Sequence, residues 1–191
     1  MNKQDDPYLA RLAQNGHRES FRIIADRWYP AIYRFAYGYF GNRADASEIA
    51  QKTMIKVHQN IQTLKEVDSF KSWIYRIANN LCLDEKKRAG RRKSEPLTLV
   101  SKDEQLSENS PVHDLEIKEL NRIIQQALNE LPEDLRSVVI LKQFEEMTFS
   151  EIAGILEVPE GTAKTRMYKG LNQLSSTLKQ WNIQNDYLNY D

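Results

Sequence analysis

The sequence predicts an all-α chain: two small helical domains joined by a flexible acidic linker, the second ending in a helix-turn-helix. Three observations lead there. Apolar residues recur at three- and four-residue spacing through most of the chain, and no run alternates cleanly with period two. Glycine and proline are scarce, 7 and 6 of 191 residues, and Gly16, Gly41, Pro132 and Pro159 fall between the periodic runs as stop signals. The pattern lapses over residues 93–113, where the chain is polar, acidic and bounded by Pro96 and Pro111.

That lapse divides the chain into a first domain at 1–92, a linker at 93–113, a second domain at 114–181 and a polar tail at 182–191. A stretched linker of about 20 residues reaches roughly 70 Å, so it leaves the two domains wide freedom. In order, the spacing predicts helices near 6–15, 18–40, 44–62, 69–89, 115–130, 133–143, 149–156 and 160–180. The first two are periodic runs closed by Gly16 and Gly41. In the third, Asp45, Glu48, Gln51 and Lys52 share one polar face, and Ile49, Met54, Val57 and Ile61 form an apolar one. The fourth carries the stripe Phe70, Trp73, Ile74, Ile77, Ala78 and Leu81. The basic residues Lys71, Arg76, Lys86, Lys87, Arg88, Arg91, Arg92 and Lys93 lie mostly off that stripe. Asn79 and Asn80 are weak helix formers in mid-helix, which suggests a polar task.

The last two helices form the turn motif. Thr148 and Glu151 have capping-box spacing, so a helix starts there, with Ile152, Ala153 and Leu156 as its apolar face. Pro159 ends that helix and suits the first turn of the next. The final helix would turn Ala163, Met167, Leu171 and Leu174 inward and Lys164, Thr165, Tyr168, Lys169 and Asn172 outward. A helix so placed can enter a major groove of DNA.

Net charge names no partner, because 27 basic residues balance 27 acidic ones. Its distribution is uneven: residues 1–93 carry +8, 94–120 carry −5, 121–157 carry −4 and 158–181 carry +3. Local patches of this kind, not the total, steer a polyanion. A single cysteine, Cys82 between two leucines, excludes an internal disulfide and reads as a buried small hydrophobe. His17, His58 and His113 sit in no metal-ligand motif, no glycine-rich phosphate loop is present, and no catalytic residue, metal or cofactor is expected. No apolar run approaches the ~18 residues of a membrane span. The polar N-terminus is no signal peptide, so a soluble cytoplasmic protein without membrane insertion is expected.

Four motifs in one order carry a resemblance. They are Asp45-x-x-Glu48-x-x-Gln51, the segment Ser72–Asn80, Leu131-Pro-Glu-Asp-Leu-Arg136, and the pair Phe149–Ala153 and Val158–Arg166. Together they resemble bacterial RNA polymerase sigma factors of the extracytoplasmic-function (ECF) group of the sigma-70 family. The resemblance implies that Asp45, Glu48, Gln51 and Lys52 dock on the largest-subunit coiled coil of core RNA polymerase. It implies −10 promoter contacts from Lys65, Arg76, Asn79, Asn80, Lys87, Arg91 and Arg92, with a non-template base flipped into a pocket near Asn80. The loop Gln62–Ser69 would set which base is preferred. It implies −35 contacts from Thr162, Lys164, Thr165, Arg166, Tyr168 and Lys169. The linker would follow the RNA exit path, and an anti-sigma factor is a candidate partner. Ala163 stands where valine is usual, Gly170-Leu171 where Ala-Arg is frequent, and Glu160 would repel phosphate. The alternative is a helix-turn-helix regulator binding duplex DNA without polymerase, but no heptad seam for dimerisation is present.

Overall fold

The computed structural model describes residues 5–93 and 113–181. The linker between them and the tail at 182–191 lie outside the described residues. Among the described residues eight α-helices follow in order: α1 (Asp6–Gln14), α2 (Arg18–Phe40), α3 (Arg43–Asn60), α4 (Phe70–Lys93), α5 (His113–Glu130), α6 (Glu133–Gln143), α7 (Phe149–Leu156) and α8 (Glu160–Gln180). Short 3-10 turns at 61–63 and 67–69 join α3 to α4.

Local chemistry explains where the helices begin and end. The Asp5 carboxylate accepts from the Tyr8 amide at 2.9 Å, and Asn42 Oδ1 accepts from the Asp45 amide at 2.8 Å. Each satisfies a backbone donor that has no partner within its helix. Gly41 adopts φ +71° and its N–H returns to the Tyr37 carbonyl, which stops α2. At the start of α7 the capping box is complete: Thr148 Oγ1 accepts from the Glu151 amide, and Glu151 accepts from the Thr148 amide. The Leu131–Arg136 motif also has a structural task. Buried Arg136 donates to the carbonyls of Asn129 and Leu131 at 2.6 and 3.0 Å, closing the end of α5.

Helices α1 to α4 surround a core of Leu9, Ile24, Ile32, Phe35, Ile49, Phe70 and Ile74. Trp28 meets Phe70 and Tyr75 edge-on within it. Helices α5 to α8 surround Leu128, Val138, Leu141, Met147, Ile152, Ile155 and Met167. These two sets are continuous, because α2 packs on α5 and α6 and α4 packs on α7. Gly38 and Gly41 make close approaches across the seam: a Cβ would lie 3.2 Å from Ile140 Cγ2 at the first and 3.2 Å from Gln125 Oε1 at the second. The two halves therefore form one closed body.

Four expectations change. Helix α4 runs to Lys93, past the expected end at 89. On α7 the buried residues are Ile152 and Ile155, while Ala153 and Leu156 are half-buried. On α8 Leu171 is 40 % exposed, and Gly170 takes the inner place beside Ala163 and Met167. The glycine is required there, since a Cβ would sit 2.8 Å from Val139 Cγ2. Finally, Asn79 is buried at 4 % exposure and is not an open base reader in this arrangement.

Candidate nucleic-acid interface

Three surfaces carry the residues singled out from the sequence. The first is the polar face of α3. Asp45 is half-buried and accepts from Asn42 Nδ2 at 2.8 Å, so part of its capacity goes to the helix cap. Glu48 and Gln51 are exposed, and Lys52 lies between Glu48 and Glu85. Beside them runs a groove of about 300 Å³ between α3 and α4, lined by Ile49, Lys52, Ile55, Lys56 and Leu81. Ile55 is 55 % exposed in this groove, and the sequence reading missed it. Its signal was an isoleucine off the apolar stripe of an otherwise regular amphipathic helix.

The second surface is α4 with the loop before it. Lys65 and Lys87 are exposed, and the side chains of Arg91 and Arg92 lie outside the described residues. Asn80 is exposed and borders a cleft of about 230 Å³ with Lys87, Glu133 and Glu157. Its neighbour Asn79 points into the seam between the halves. Asn79 Oδ1 accepts from Ser137 Oγ at 2.9 Å and from the Tyr39 hydroxyl at 3.3 Å, and Tyr39 also meets Ser137. Burial raises the Tyr39 phenol above its usual range.

The exposed edge of that seam is charged. Lys71 Nζ meets Glu151 at 2.8 Å. Arg76 donates to Glu157 at 2.8 Å and to the Gly154 carbonyl at 2.7 Å. The Tyr75 hydroxyl donates to Glu145 at 2.5 Å. The Lys71 ammonium, then the Thr148 amide, hold the Glu151 carboxyl at about 2. Glu145 moves the other way: burial raises it, outweighing the Tyr75 hydrogen bond and Arg34. Burial also raises Tyr75, assisted by Glu145, and raises the Cys82 thiol, which is fully enclosed and unreactive in character.

The third surface is the outer face of α8. Lys164, Thr165, Tyr168 and Lys169 are all exposed, Tyr168 at 66 %, over the buried Ala163, Met167 and Gly170. Thr165 Oγ1 donates to the Gly161 carbonyl at 2.8 Å, and Lys164 pairs with Glu160 at 2.7 Å. Arg166 is half-buried and meets Asp134 at 3.2 Å, so it leans toward α6. Thr162, half-buried, lies with Thr165, Arg166 and Lys169 around a shallow cavity at the start of α8.

Residues 24–92 match the sigma-70 region 2 family and residues 121–174 match sigma-70 region 4. Over 183 residues the chain is 34 % identical to the ECF RNA polymerase sigma factor SigW of Bacillus subtilis, covering 88 % of this chain and 94 % of that one. The chain belongs to the ECF group of sigma-70 factors. It is also 33 % identical over 160 residues to ECF sigma factor SigE of Mycolicibacterium smegmatis, covering 84 % of this chain and 60 % of that one. The fold resembles the sigma factor RpoE from Bartonella quintana, solved with the anti-sigma factor NepR, at TM-score 0.67 with 22 % identity, covering 84 % of this chain and 98 % of that one.

As a sigma factor the chain serves RNA polymerase in promoter recognition and is itself a non-catalytic subunit. The four chemical motifs thus fall within two family regions, region 2 over α2 to α4 and region 4 over α5 to α8. Among the described residues no helix of this sigma factor is long and apolar enough to cross a membrane. Among the same residues no group of three or more His, Cys, Asp or Glu is placed to hold a metal ion.

Proposed function

We propose that this sigma factor uses the three surfaces in a division of labour. Residues 1–92 dock on core RNA polymerase and take the −10 strand, 93–113 span between, and 114–181 read the −35 duplex. Asp45, Glu48, Gln51 and Lys52 meet the coiled coil of the largest polymerase subunit. The exposed Ile55 supports this, because it gives a docking helix an apolar contact in a groove otherwise rimmed by charged and polar side chains such as Lys52, Lys56, Glu85 and Arg88.

On α4, Asn80 contacts the extruded −10 base, and Lys65, Arg76, Lys87, Arg91 and Arg92 hold the strand. Extruding a base costs a few kcal/mol of stacking, which hydrogen bonds to its edge offset. Asn79 positions α4 from beneath, since its amide oxygen is already engaged. On α8, Lys164, Thr165, Tyr168 and Lys169 face the −35 major groove, with Thr162 and Arg166 at the phosphates.

The observation that carries the reading is the α8 face: four adjacent polar side chains stand open over an apolar back. An anti-sigma factor is proposed as a further partner, as for the similar RpoE, and the site of action is the cytoplasm, where polymerase works.

The test is transcription in vitro with core polymerase from the source organism on pooled genomic fragments. Wild-type protein should start transcripts at a shared bipartite sequence. Asn80→Ala should weaken those starts by about five- to 150-fold, the loss of one good base contact of ~1–3 kcal/mol. Undiminished starts with Asn80→Ala would remove Asn80 from the −10 contact set.

A further inference from the structure

The loop between α3 and α4 is fastened from outside the residues that match region 2. Those residues are 24–92, and α1 lies before them. Gln14 is the last residue of α1 and is half-buried. Its Nε2 donates to the Ile61 carbonyl at 2.9 Å and to the Leu64 carbonyl at 2.7 Å. Gln62 Nε2 donates in return to the Gln14 carbonyl, one of the acceptors that a helix C-terminus leaves open. Helix α1 packs on both 3-10 turns, at 61–63 and at 67–69, and near its start Asp6 pairs with Arg27 of α2.

The two carbonyls differ in their other partners. Ile61 also accepts from the Leu64 amide at 3.2 Å. The Leu64 carbonyl has Gln14 as its donor. That carbonyl belongs to the peptide joining Leu64 to Lys65, so its direction sets how the chain enters the exposed pair Lys65 and Glu66. The side chains of Ile61 and Leu64 are buried, at 4 and 6 % exposure, and fix the position of the turn. They do not fix the rotation of that peptide plane. A carbonyl deprived of its donor turns toward water, because leaving it unpaired is costly. Without the Gln14 amide the peptide would rotate, and Lys65 with it.

We propose that Gln14 is a positioning residue for the choice of −10 base. Its amide sets the Leu64–Lys65 peptide, and through it the shape that the loop presents to the extruded base. This rests on the reading that the loop at 62–69 sets which base is preferred. The role needs no contact between Gln14 and DNA. It acts on discrimination between bases, while affinity for the strand stays with the cations of α4.

The test is transcription in vitro with the full chain and core polymerase, on barcoded templates randomised over the promoter region. Barcode counts give the base preference at every promoter position. Gln14→Met keeps the length and helix propensity of the side chain and removes the donor. Gln14→Glu sets a carboxylate, an acceptor, against the same two carbonyls. In both, the preference at the extruded −10 position should fall about fivefold, the population shift that one hydrogen bond of ordinary net strength commands. Preferences at −35 should stay as in wild type. Asp6→Asn, which loosens the start of α1 away from the loop, should leave all preferences unchanged. An unchanged −10 preference in both Gln14 variants overturns the positioning role. So does an equal fall in Asp6→Asn, or a parallel fall at −35, since either marks general loosening of the domain. Lys65→Ala/Glu66→Ala separates the two readings. If it shifts the −10 preference and the Gln14 variants do not, the loop chooses the base without Gln14. If none of them shifts it, the loop reading falls and the positioning role with it.

Discussion

Gly170 shows how a single residue can be mispriced by local rules. Glycine in a helix costs about 1 kcal/mol relative to alanine, so the sequence alone recommends replacing it. In the fold a Cβ at 170 would meet Val139 Cγ2 at 2.8 Å, and Val139 is a stiff, buried side chain. Overpacking of that kind costs ~1–3 kcal/mol and outweighs the propensity gain. Gly170→Ala should therefore lower stability by about 1 kcal/mol in urea unfolding. On a Val139→Ala background the same change should become stabilising, and a stabilising effect in the wild-type background would show the contact to be slack. Asn79 and Asn80 make a companion case. They are adjacent in sequence, yet one is buried against Ser137 and the other is open. A helix turns about 100° per residue, so no sequence rule gives both the same task.

The helices themselves were largely legible, because their ends are local chemistry. Asn42, Gly41, Thr148, Pro132 and Pro159 each act on backbone groups within four residues, and the observed ends follow them. The inner face of α8 was partly misread for a physical reason: glycine has no apolar signature, so periodicity favoured its neighbour Leu171. Partners across the seam were illegible. Nothing within reach of Tyr75 or Lys71 in the sequence announces Glu145 or Glu151, some 70 and 80 residues away. One element, α7, joins both kinds of chemistry, since Glu151 both caps it and meets Lys71. Its carboxyl is depressed from the ordinary 4.5 to about 2. A depressed acid contributes stability fully above its unfolded value and loses it as pH falls through the folded one. The stability difference between wild type and Glu151→Gln should thus be constant above pH 4.5 and shrink toward pH 2. Urea midpoints across that range check it, and a difference that grows on acidification would contradict the assignment.

At the scale of the whole molecule, closure depends on a place where two helices nearly touch. Gly38 on α2 leaves room for Ile140 on α6: a Cβ there would press on Ile140 Cγ2 at 3.2 Å, and a side chain as large as leucine would run into it. Gly38→Leu should act as a wedge that parts the halves while each keeps its own helices. Small-angle scattering should show the radius of gyration rise by on the order of a few Å, as expected when one compact body becomes two. Far-ultraviolet circular dichroism should stay unchanged. A compact Gly38→Leu chain would mean that the seam can repack around the new side chain.

The turn after α3 is splinted from outside its own neighbourhood. Gln14 Nε2 donates to the carbonyls of Ile61 and Leu64 at 2.9 and 2.7 Å, and Gln62 Nε2 returns a bond to the Gln14 carbonyl. The start of the loop proposed to choose the −10 base is therefore anchored to α1, about fifty residues upstream. Transplanting that loop between relatives would carry its letters without its shape unless the first helix travels with it.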